Sequence, residues 1–510
     1  MHKKVALIIM DGWGMGEANE KNAIHSAETP FFDFALKTYP HAFLEASGLA
    51  VGLPSGQMGN SEIGHTTIGA GASIDTDLVM IQKSIDDNTF FENEAFLRLV
   101  NHAKMHNSKV HLIGLLSDGG VHSHNTHIYA FIKLAVQQGL RQDQLIFHIF
   151  TDGRDVSGGT AIKYIKELEA EMEKNVMGVI GSFGGRYYGM DRAGNHERIE
   201  HVTNILFNAE GNTLNLHEKT IADFIGNEYA EKDPTGKIDE YFEHYLCIHD
   251  HENPKKYIIG KNDGIFFFNF RADRAKQLTK AILDKQEEYN LHFVSMAQYG
   301  EDLKTDVAFK PASIETTLGK ELSKIGVRHA HISESEKFPH VTFFMNGQSD
   351  LIQEGESQVK IDSRSDIKTH DEAPEMKSKE IVDAAIEAFK DHDVVIVNFP
   401  NTDVVGHTGN IGAVIKAAET VDKETKRLAD FVQSLGGVSL ITADHGNAEV
   451  MIDDIGNMHV AHTTNLVPFI VTDVNMEIVR PMGTLADIAP TILKLFGVEG
   501  VKGMKGISVV

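Results

Sequence analysis

Short apolar runs rich in valine, isoleucine and phenylalanine recur along the chain and predict buried β-strands. They cover residues 5–10, 110–116, 145–150, 176–182, 265–270, 394–399, 438–442 and 468–472. Because these runs are continuous rather than alternating, both faces of each strand should be covered. Longer helical patterns lie between them. The chain therefore predicts an α/β fold, with mostly parallel sheet and helices on both faces.

The clearest helical periodicity lies in residues 411–435, where apolar side chains recur three or four positions apart and Gly436 follows as a stop signal. Residues 378–390 and 484–496 predict shorter helices. Residues 226–262 are polar and predict loops and short elements. The segment Asp-Pro-Thr-Gly-Lys at 233–237 is not a phosphate-binding P-loop, because its glycine spacing is wrong and no apolar strand precedes it.

At 510 residues the chain exceeds one ordinary hydrophobic core, so at least two domains are expected, with linkers near Asp75 and Pro311. The composition, 42% hydrophobic and 24% charged, is typical of a globular protein. The net charge of −25 argues against nucleic acid or an anionic membrane surface as a partner. A phosphate ligand would then need a local concentration of arginine, lysine or metal ions.

Cellular location is indicated by cysteine usage and by the N-terminus. The single Cys247 excludes an internal disulfide framework and fits a reducing compartment. The first apolar run is interrupted by Asp11, so it is neither a signal peptide nor a membrane span. No apolar stretch reaches bilayer length. We expect a cytoplasmic protein.

Seven residues near the two ends of the chain predict one bimetallic phosphotransfer site. Several apolar runs end directly in such residues, and ligands of open α/β sheets bind beyond the carboxyl ends of the strands. A serine hydroxyl becomes a good nucleophile when a divalent cation lowers its pKa. The seven are Asp11, Ser61, Asp403, His407, Asp444, His445 and His462.

Their spacing suggests two sets of ligands. Asp403 and His407 are four residues apart, which places both on one face of a helix, and His462 completes a set of two imidazoles and one carboxylate. The other four would form the second set. Such mixed oxygen and imidazole ligands suit Mn²⁺ or Zn²⁺ better than Ca²⁺. Any one of these residues taken alone is better explained as a cap or a buried polar group, and only the complete set favours the metal site.

Ser61 lies in Gly-Asn-Ser-Glu-Ile-Gly, which is not the G-x-S-x-G nucleophile elbow, because the second glycine comes one residue late. Ser61 is expected to open a helix towards Ile68. Its hydroxyl would lie at the positive end of the helix dipole, which favours a phosphoryl group. A plain serine N-cap is the alternative and is compatible with this role.

The middle of the chain holds basic residues in short motifs that follow predicted strands. Such arginines commonly bind phosphate or carboxylate groups, so we expect a small anionic substrate. Salt bridges to Asp191 and Asp273 are the alternative for any single arginine. His122 and His124 could also form a metal pair, which is less favoured. The residues are His122 in DGGVHSH, Arg154 and Asp155 in TDGRD, Arg186 and Arg192 in GGRYYGMDR, and Arg271 and Arg274 in NFRADR.

Together these motifs make the chain resemble the cofactor-independent phosphoglycerate mutases, a branch of the alkaline phosphatase superfamily. The resemblance extends from Val5 to the C-terminus. It rests on MDGWG, LPSGQMGNSEIGHTTIGAG, LLSDGGVHSH, FTDGRD, GRYYGMDR, FNFRADRA, HVTFFMNG, DVVGHTG, TADHGNAE and TLADIAPT. It implies an alkaline-phosphatase-like metal-binding domain formed by residues 1–75 and 311–510, with an α/β substrate-binding domain, residues 76–310, inserted between them.

The resemblance also implies a reaction, the interconversion of 3-phosphoglycerate and 2-phosphoglycerate through phosphoserine at Ser61, with two Mn²⁺ and without 2,3-bisphosphoglycerate. Asp403, His407 and His462 would bind one Mn²⁺, and Asp11, Ser61, Asp444 and His445 the other. Asp155 would act as acid and base. The substrate would be held by His122, Arg154, Asp155, Arg186, Arg192, Arg271, Arg274 and Lys337. Taken alone, Lys337 resembles a solvated lysine. A monomer with a small-molecule substrate is expected.

The chain departs from the family pattern at Ala72, at Thr402, over residues 194–196 and at Gln348, and none of these departures removes an assigned residue. Two other functions stay open at this point. One is a metal-dependent phosphomonoesterase or sulfatase-like hydrolase of the same superfamily, which would not need the full arginine set. The other is a non-catalytic metabolite-binding paralogue, which would be expected to have lost its serine or its ligands.

Overall fold

The computed structural model describes residues 4–233, 237–311 and 313–510, so most of the Asp-Pro-Thr-Gly segment lies outside the described residues. Within these ranges the chain forms sixteen β-strands. They are β1 (Val5–Met10), β2 (His41–Glu45), β3 (Val110–Leu115), β4 (Leu145–Thr151), β5 (Val179–Gly185), β6 (Asn212–Asn215), β7 (Tyr245–Ile248), β8 (Gly264–Phe267), β9 (His292–Ala297), β10 (Asp306–Phe309), β11 (His329–Glu334), β12 (Glu356–Ile361), β13 (Val394–Phe399), β14 (Val438–Thr442), β15 (Val467–Val471) and β16 (Met482–Thr484).

The same ranges contain seventeen α-helices. They are α1 (Ala23–Ser26), α2 (Pro30–Thr38), α3 (Ser61–Ala70), α4 (Asp77–Asp86), α5 (Glu94–His106), α6 (Asn125–Gln137), α7 (Ala161–Asn175), α8 (Arg186–Gly189), α9 (His196–Asn208), α10 (Ile221–Glu231), α11 (Lys276–Leu283), α12 (Gln286–Tyr289), α13 (Leu318–Lys324), α14 (Ser378–Ala388), α15 (Asn401–Gly406), α16 (Ile411–Ser434) and α17 (Ile488–Leu495). No helix in the described part of the chain has the length and apolar character needed to cross a bilayer.

The chain divides into two compact units, one made of Met1–Thr76 with Ala312–Val510 and the other of Asp77–Pro311. Both observed boundaries fall one residue after the predicted ones. Each unit contains one eight-stranded sheet. The α/β class with largely parallel sheets is therefore confirmed.

The sheet of the first unit has the order β12-β11-β13-β1-β14-β15-β2-β16. Strands β12 to β14 are parallel, and β15 is antiparallel to both of its neighbours. The N-terminal strand β1 lies between two strands from the C-terminal part, with Val5 opposite both Val394 and Val438. All six residues of β1 are buried, as expected for a central strand covered on both faces. The two ends of the chain thus share one core.

The sheet of the second unit has the order β10-β9-β8-β3-β4-β5-β7-β6. It is parallel from β10 to β5, and β7 pairs with β5 in the antiparallel direction. Packed aromatic rings such as Phe96, Phe131 and Phe266 fill one of its faces. The carboxyl ends of β3, β4, β5 and β8 therefore meet at one edge of this sheet.

Candidate active site

Three aspartates meet at the carboxyl ends of adjacent strands in the first unit. Asp11 follows β1 directly, Asp444 follows β14, and Asp403 lies in the short helix α15 after β13; all three are buried. Gly12 permits this approach because its φ is +74° and a Cβ there would lie 2.8 Å from the Asp403 Cα. The strand order, rather than sequence proximity, brings the three carboxylates together.

Three histidines surround these carboxylates. His462 Nε2 and His407 Nε2 lie 3.1 and 3.2 Å from Asp403 Oδ1. His445 Nε2 lies 3.5 Å from Asp11 Oδ1 and 3.6 Å from Asp444 Oδ2. The His445 and His462 rings stack with centroids 3.8 Å apart.

Two groups at this site have ligand atoms close enough for one ion each. They are Asp403 with His445 and His462, and Asp11 with Asp444 and His445. His445 belongs to both groups, whereas the sequence assigned it to one. The side chain of His407 is about half exposed and flanks the first group.

Ser61 is the first residue of α3, and its hydroxyl points into this cluster. The Asn60 side chain accepts a hydrogen bond from the Ile63 amide at 3.0 Å, so Asn60 caps the helix. The interpretation of Ser61 as the N-cap is therefore wrong. Its Oγ lies 2.9 Å from His445 Nε2 and 3.3 Å from Asp11 Oδ1. The hydroxyl takes no part in capping and is available for chemistry.

Lys337 is buried in the same cluster, contrary to its appearance in the sequence as a solvated lysine. Its Nζ donates to Asp11 Oδ1 at 2.9 Å, to Asp403 Oδ2 at 2.7 Å, and to Ser61 Oγ. Burial opposes the charged form, but the aspartates outweigh it and raise the pKa of Lys337. The ammonium is therefore charged and partly neutralises three carboxylates.

The pKa shifts of the carboxylates reflect this unequal balance of charge. Burial and the neighbouring Asp444 raise the pKa of Asp11. Although burial opposes it, Lys337 holds the pKa of Asp403 well below its usual value. The nearby Asp403 carboxylate in turn raises the pKa of His407. One ammonium does not balance three carboxylates, so the cluster has the charge to hold further cations.

The cluster fits divalent metal ions by its donor set and by its unsatisfied atoms. Asp403 Oδ1 and Asp444 Oδ2 are buried and accept no well-formed hydrogen bond from any residue that the structure describes. Buried carboxylate oxygens rarely remain without a partner. Three carboxylates, three imidazoles and one hydroxyl are ligands suited to Mn²⁺ or Zn²⁺.

A second cluster lies at the carboxyl ends of the strands in the other unit. The Arg186 guanidinium is buried, with NH1 2.6 Å from Asp152 Oδ1 and 3.0 Å from Asp155 Oδ2. His122 Nδ1 lies 2.6 Å from Asp155 Oδ2. Burial raises the pKa of Asp155, but His122 and Arg186 outweigh this effect and lower it. Asp155 is therefore a carboxylate at neutral pH.

The other four arginines that the sequence singled out are Arg154, Arg192, Arg271 and Arg274. Arg192 and Arg271 approach Asp273 at 3.4 and 3.2 Å, as in the salt-bridge alternative. Arg154 pairs with Glu240 at 3.2 Å, and Arg274 donates to the Met190 carbonyl at 3.2 Å. Burial lowers the pKa of Arg274, and the positive charges of Arg186, Arg192 and Arg154 add to this effect. The cluster thus concentrates positive charge in an acidic protein. His122 and His124 lie in a loop rather than on a strand.

Glu449 supports the first cluster and was not singled out from the sequence. Its carboxylate is buried and accepts from the amides of Gly14 at 3.1 Å and Asn447 at 2.8 Å. Its other oxygen accepts from Thr463 Oγ1 and from Asn465 Nδ2 at 3.0 Å. These partners belong to the loops that carry Asp11, His445 and His462. Only its place five residues after Asp444 could have indicated such a role.

Replacing Glu449 with glutamine is expected to weaken divalent metal binding by about 10–100-fold, the usual cost of losing an outer-shell partner. An amide cannot accept hydrogen bonds at both ends, so one ligand loop would lose its anchor. Mn²⁺ affinity measured by isothermal titration calorimetry checks this. The exposed Glu477→Gln is the matched control. Equal affinities for both variants would contradict the positioning role.

Comparison with known proteins first identifies the superfamily of the chain. The model of the Metalloenzyme superfamily matches residues 3–500, so the chain is a member of this class. A 2,3-bisphosphoglycerate-independent phosphoglycerate mutase of Acetivibrio thermocellus is 41% identical over 520 residues, covering 100% of this chain and 99% of the relative. One from Clostridioides difficile is 42% identical over 522 residues, with coverage of 100% and 99%.

A solved structure agrees with these relatives. The crystal structure of Leishmania mexicana phosphoglycerate mutase at low cobalt concentration is 30% identical, with a TM-score of 0.57, and the match covers 100% of this chain and 98% of that one. The chain belongs to the family of 2,3-bisphosphoglycerate-independent phosphoglycerate mutases.

Proposed function

We propose that this chain interconverts 3-phosphoglycerate and 2-phosphoglycerate through a phosphoserine at Ser61, without 2,3-bisphosphoglycerate. The observation that carries the proposal is the position of the Ser61 hydroxyl. It lies at the start of α3, in contact with Asp11, His445 and Lys337. Family membership supports the substrate and the reaction.

Two divalent cations, for which we propose Mn²⁺, are assigned to the first cluster. Asp403, His407 and His462 would hold one, and Asp11, Ser61, Asp444 and His445 the other; the orphaned oxygens of Asp403 and Asp444 support this. Such ions supply Lewis acidity and lower the pKa of a bound hydroxyl.

Individual residues would then have separate roles in phosphoryl transfer. Once its hydroxyl has lost its proton, Ser61 Oγ forms a bond to phosphorus while the bond from phosphorus to the glycerate oxygen breaks. Lys337 donates to Ser61 Oγ and is placed to stabilise negative charge on the transferring group. In the second half, the other glycerate hydroxyl attacks phosphorus and Ser61 Oγ leaves. The helix dipole of α3 favours the phosphoryl group throughout.

The second cluster would hold the glycerate and move its protons. We assign substrate binding to His122, Arg154, Asp155, Arg186, Arg192, Arg271, Arg274 and Lys337. Because Arg186 and His122 keep Asp155 ionised, it can accept a proton from the attacking hydroxyl. His122, whose Nδ1 lies 2.6 Å from Asp155 Oδ2, would give a proton to the glycerate oxygen that leaves in the first half. Asp155 would pass the proton that it accepts in the second half back to His122, so no net proton is gained or lost. A hydrolase would need no such set of arginines.

We also propose that the enzyme acts as a monomer in the cytoplasm. The only cysteine, Cys247, is a buried thiol, and burial raises its pKa. A reducing compartment suits such a residue.

The test is an enolase-coupled assay on purified protein with 3-phosphoglycerate, Mn²⁺ and no 2,3-bisphosphoglycerate. Formation of 2-phosphoglycerate is expected to exceed the release of inorganic phosphate. Phosphate release that outruns isomerisation would support the hydrolase. Tight substrate binding without turnover would support the non-catalytic paralogue.

Activity at limiting Mn²⁺ is expected to fall steeply between about pH 8 and pH 6. The pKa values of His407 and His462 are raised, chiefly by Asp403, so in the metal-free protein protons compete with metal above the usual histidine range. As the pH falls, these histidines gain protons and the metal is displaced. Excess Mn²⁺ should therefore shift the loss of activity to lower pH. Rate–pH profiles at two Mn²⁺ concentrations check this. Profiles that coincide would contradict it.

A further inference from the structure

A third group of potential ligands lies in the first unit, outside the cluster around Ser61. His329 and His331 are two residues apart on β11, so their side chains lie on one face of the sheet. Glu356, on the edge strand β12, is the direct register partner of His329. All three side chains are buried, and one ligand atom from each lies within 4.8 Å of the others.

The outer hydrogen bonds of the two rings indicate where their protons are. His331 Nδ1 lies 2.5 Å from the Val341 carbonyl, which can only accept, so Nδ1 carries the hydrogen. His329 Nε2 lies 3.3 Å from Ser323 Oγ. That hydroxyl lies 2.9 Å from the Gly319 carbonyl, and when it donates there its oxygen can only accept from His329 Nε2. The inner nitrogen of each neutral ring is then an acceptor.

These two inner nitrogens face each other. His329 Nδ1 and His331 Nε2 are 2.8 Å apart. Two lone pairs at this distance repel unless a cation lies between them. An additional proton is a poor occupant, because burial lowers the pKa of His329 to about 3 and also lowers the pKa of His331. The metal-free alternative is a neutral His329 with its hydrogen on Nδ1. The rings are therefore neutral and ready to bind metal.

The carboxylate is oriented in a way that suits a ligand. Glu356 Oε1 accepts from Asn346 Nδ2 at 2.9 Å and Gln358 Nε2 at 2.7 Å, and Oε2 accepts from the Gln353 amide at 2.9 Å. Asn346 Oδ1 is buried and has no hydrogen-bond partner among the described residues. The hydrogen bond from His331 Nδ1 to a carbonyl is the outer-shell contact typical of metal-bound histidine.

The same pattern occurs at the proposed catalytic cluster. There the ring nitrogens of His407 and His462 approach to 3.1 Å, and His462 Nε2 lies 3.1 Å from Asp403 Oδ1. Close contact between two imidazole nitrogens beside a carboxylate is thus the geometry that this fold also adopts around Asp403.

We propose that His329 Nδ1, His331 Nε2 and the Glu356 carboxylate bind one divalent cation of the zinc class. Two imidazoles and one carboxylate form a common zinc donor set. The ion would fasten the edge strand β12 to β11. The site is separate from the residues assigned to phosphoryl transfer, so it does not rest on the proposed function.

The competing possibility is a metal-free chain of neutral groups. Ser323 would turn its hydroxyl from the Gly319 carbonyl to His329 Nε2, and His329 Nδ1–H would donate to His331 Nε2. This arrangement needs no cation but gives up the hydrogen bond of Ser323 within its helix. The two possibilities differ in whether an ion is bound, which can be measured directly.

The full-length protein is loaded with Zn²⁺, dialysed against metal-free buffer and analysed for zinc per chain by plasma mass spectrometry. We expect His331→Gln to retain one zinc fewer than the wild type, whereas His41→Gln, a histidine elsewhere in the same unit, retains the full content. Mutase activity with Mn²⁺, measured in parallel, is expected to be retained by both variants. Equal zinc content in all three proteins would overturn the site.

Crystals of the wild-type protein grown with Zn²⁺ give a second measurement that no folding defect can obscure. An anomalous peak at the zinc edge between His329 and His331 is expected. A map with zinc at the Ser61 cluster and none between these rings would also overturn the proposal. Neither result bears on the enolase-coupled assay, so failure of this site and failure of the proposed function are distinguishable.

Discussion

Replacing Ser61 with alanine is expected to lower mutase turnover by a factor on the order of 10⁶, as removal of the nucleophile does in other covalent catalysts. The loss should be chemical rather than structural. Asn60, not Ser61, caps α3 through the Ile63 amide, and alanine is fully compatible with the first turn of a helix. The helix and the ligand loops should therefore persist.

Two measurements test the prediction for Ser61→Ala. The enolase-coupled assay gives the loss of turnover, and mass spectrometry of wild type mixed with 3-phosphoglycerate should detect one added phosphoryl group that Ser61→Ala lacks. Ser55→Ala, an exposed serine in the loop that precedes α3, is the control and should behave as wild type. A Ser61→Ala protein that keeps most of its turnover would show that phosphate reaches the glycerate by another route.

The sequence predicted the aspartates of the first cluster because continuous apolar runs lead to them. β1 ends at Met10, directly before Asp11, and β14 ends at Thr442, two residues before Asp444. Parallel strands with such endings necessarily bring their polar residues to one edge. Residues 411–435 were likewise predictable, and α16 spans Ile411–Ser434, because one apolar stripe with a glycine stop defines a helix without reference to the rest of the chain.

Lys337 could not be placed in this way. The strand that precedes it, β11, has buried histidines at positions 329 and 331, so no apolar run indicates it. Its burial depends on Asp11 and Asp403, which lie 326 and 66 residues away in the sequence. Glu449 is similar, because its partner Gly14 is 435 residues away. Apart from a family resemblance, which assigned Lys337 to the substrate, such contacts can be recognised only when the strand order is known.

Strand β5 illustrates a smaller error with a local cause. The apolar run predicted residues 176–182, but the strand spans Val179–Gly185. Val176 has a φ of +49° as the cap of α7, and Gly178 has a φ of +97°, so neither can begin an extended strand. At the other end the strand includes Gly184 and Gly185, where His244 and Glu240 approach too closely for a side chain. Tertiary contacts therefore outweigh the low strand propensity of glycine.

Replacing Lys337 with methionine is expected to destabilise the metal-free first unit by about 3–5 kcal/mol, the cost of removing one partner from a buried ion pair. Methionine fills similar space but leaves Asp11 and Asp403 without the ammonium that contacts them at 2.9 and 2.7 Å. Divalent cations would replace the missing charge, so Mn²⁺ should restore much of the stability, because it binds the folded state.

Because the chain has a single tryptophan, the stability of the first unit can be measured separately. Trp13 is buried two residues from Asp11, so its fluorescence in urea reports unfolding around the cluster. Melts with a chelator and with Mn²⁺ give the two stabilities. Lys324→Met is the control, because that lysine is largely exposed and pairs with Glu321 across one helical turn, where little change in stability is expected.

Activity should respond differently from stability in the same variant. With saturating Mn²⁺ the fold recovers, but the donor that contacts Ser61 Oγ is still absent. Loss of one such donor costs about 10²–10³-fold in turnover. Stability restored by Mn²⁺ together with low turnover would establish that Lys337 balances charge in the resting cluster and stabilises charge during transfer. If Mn²⁺ restored both, Lys337 would be a structural counterion alone, and the transferring phosphoryl group would have to be stabilised by other groups of the site.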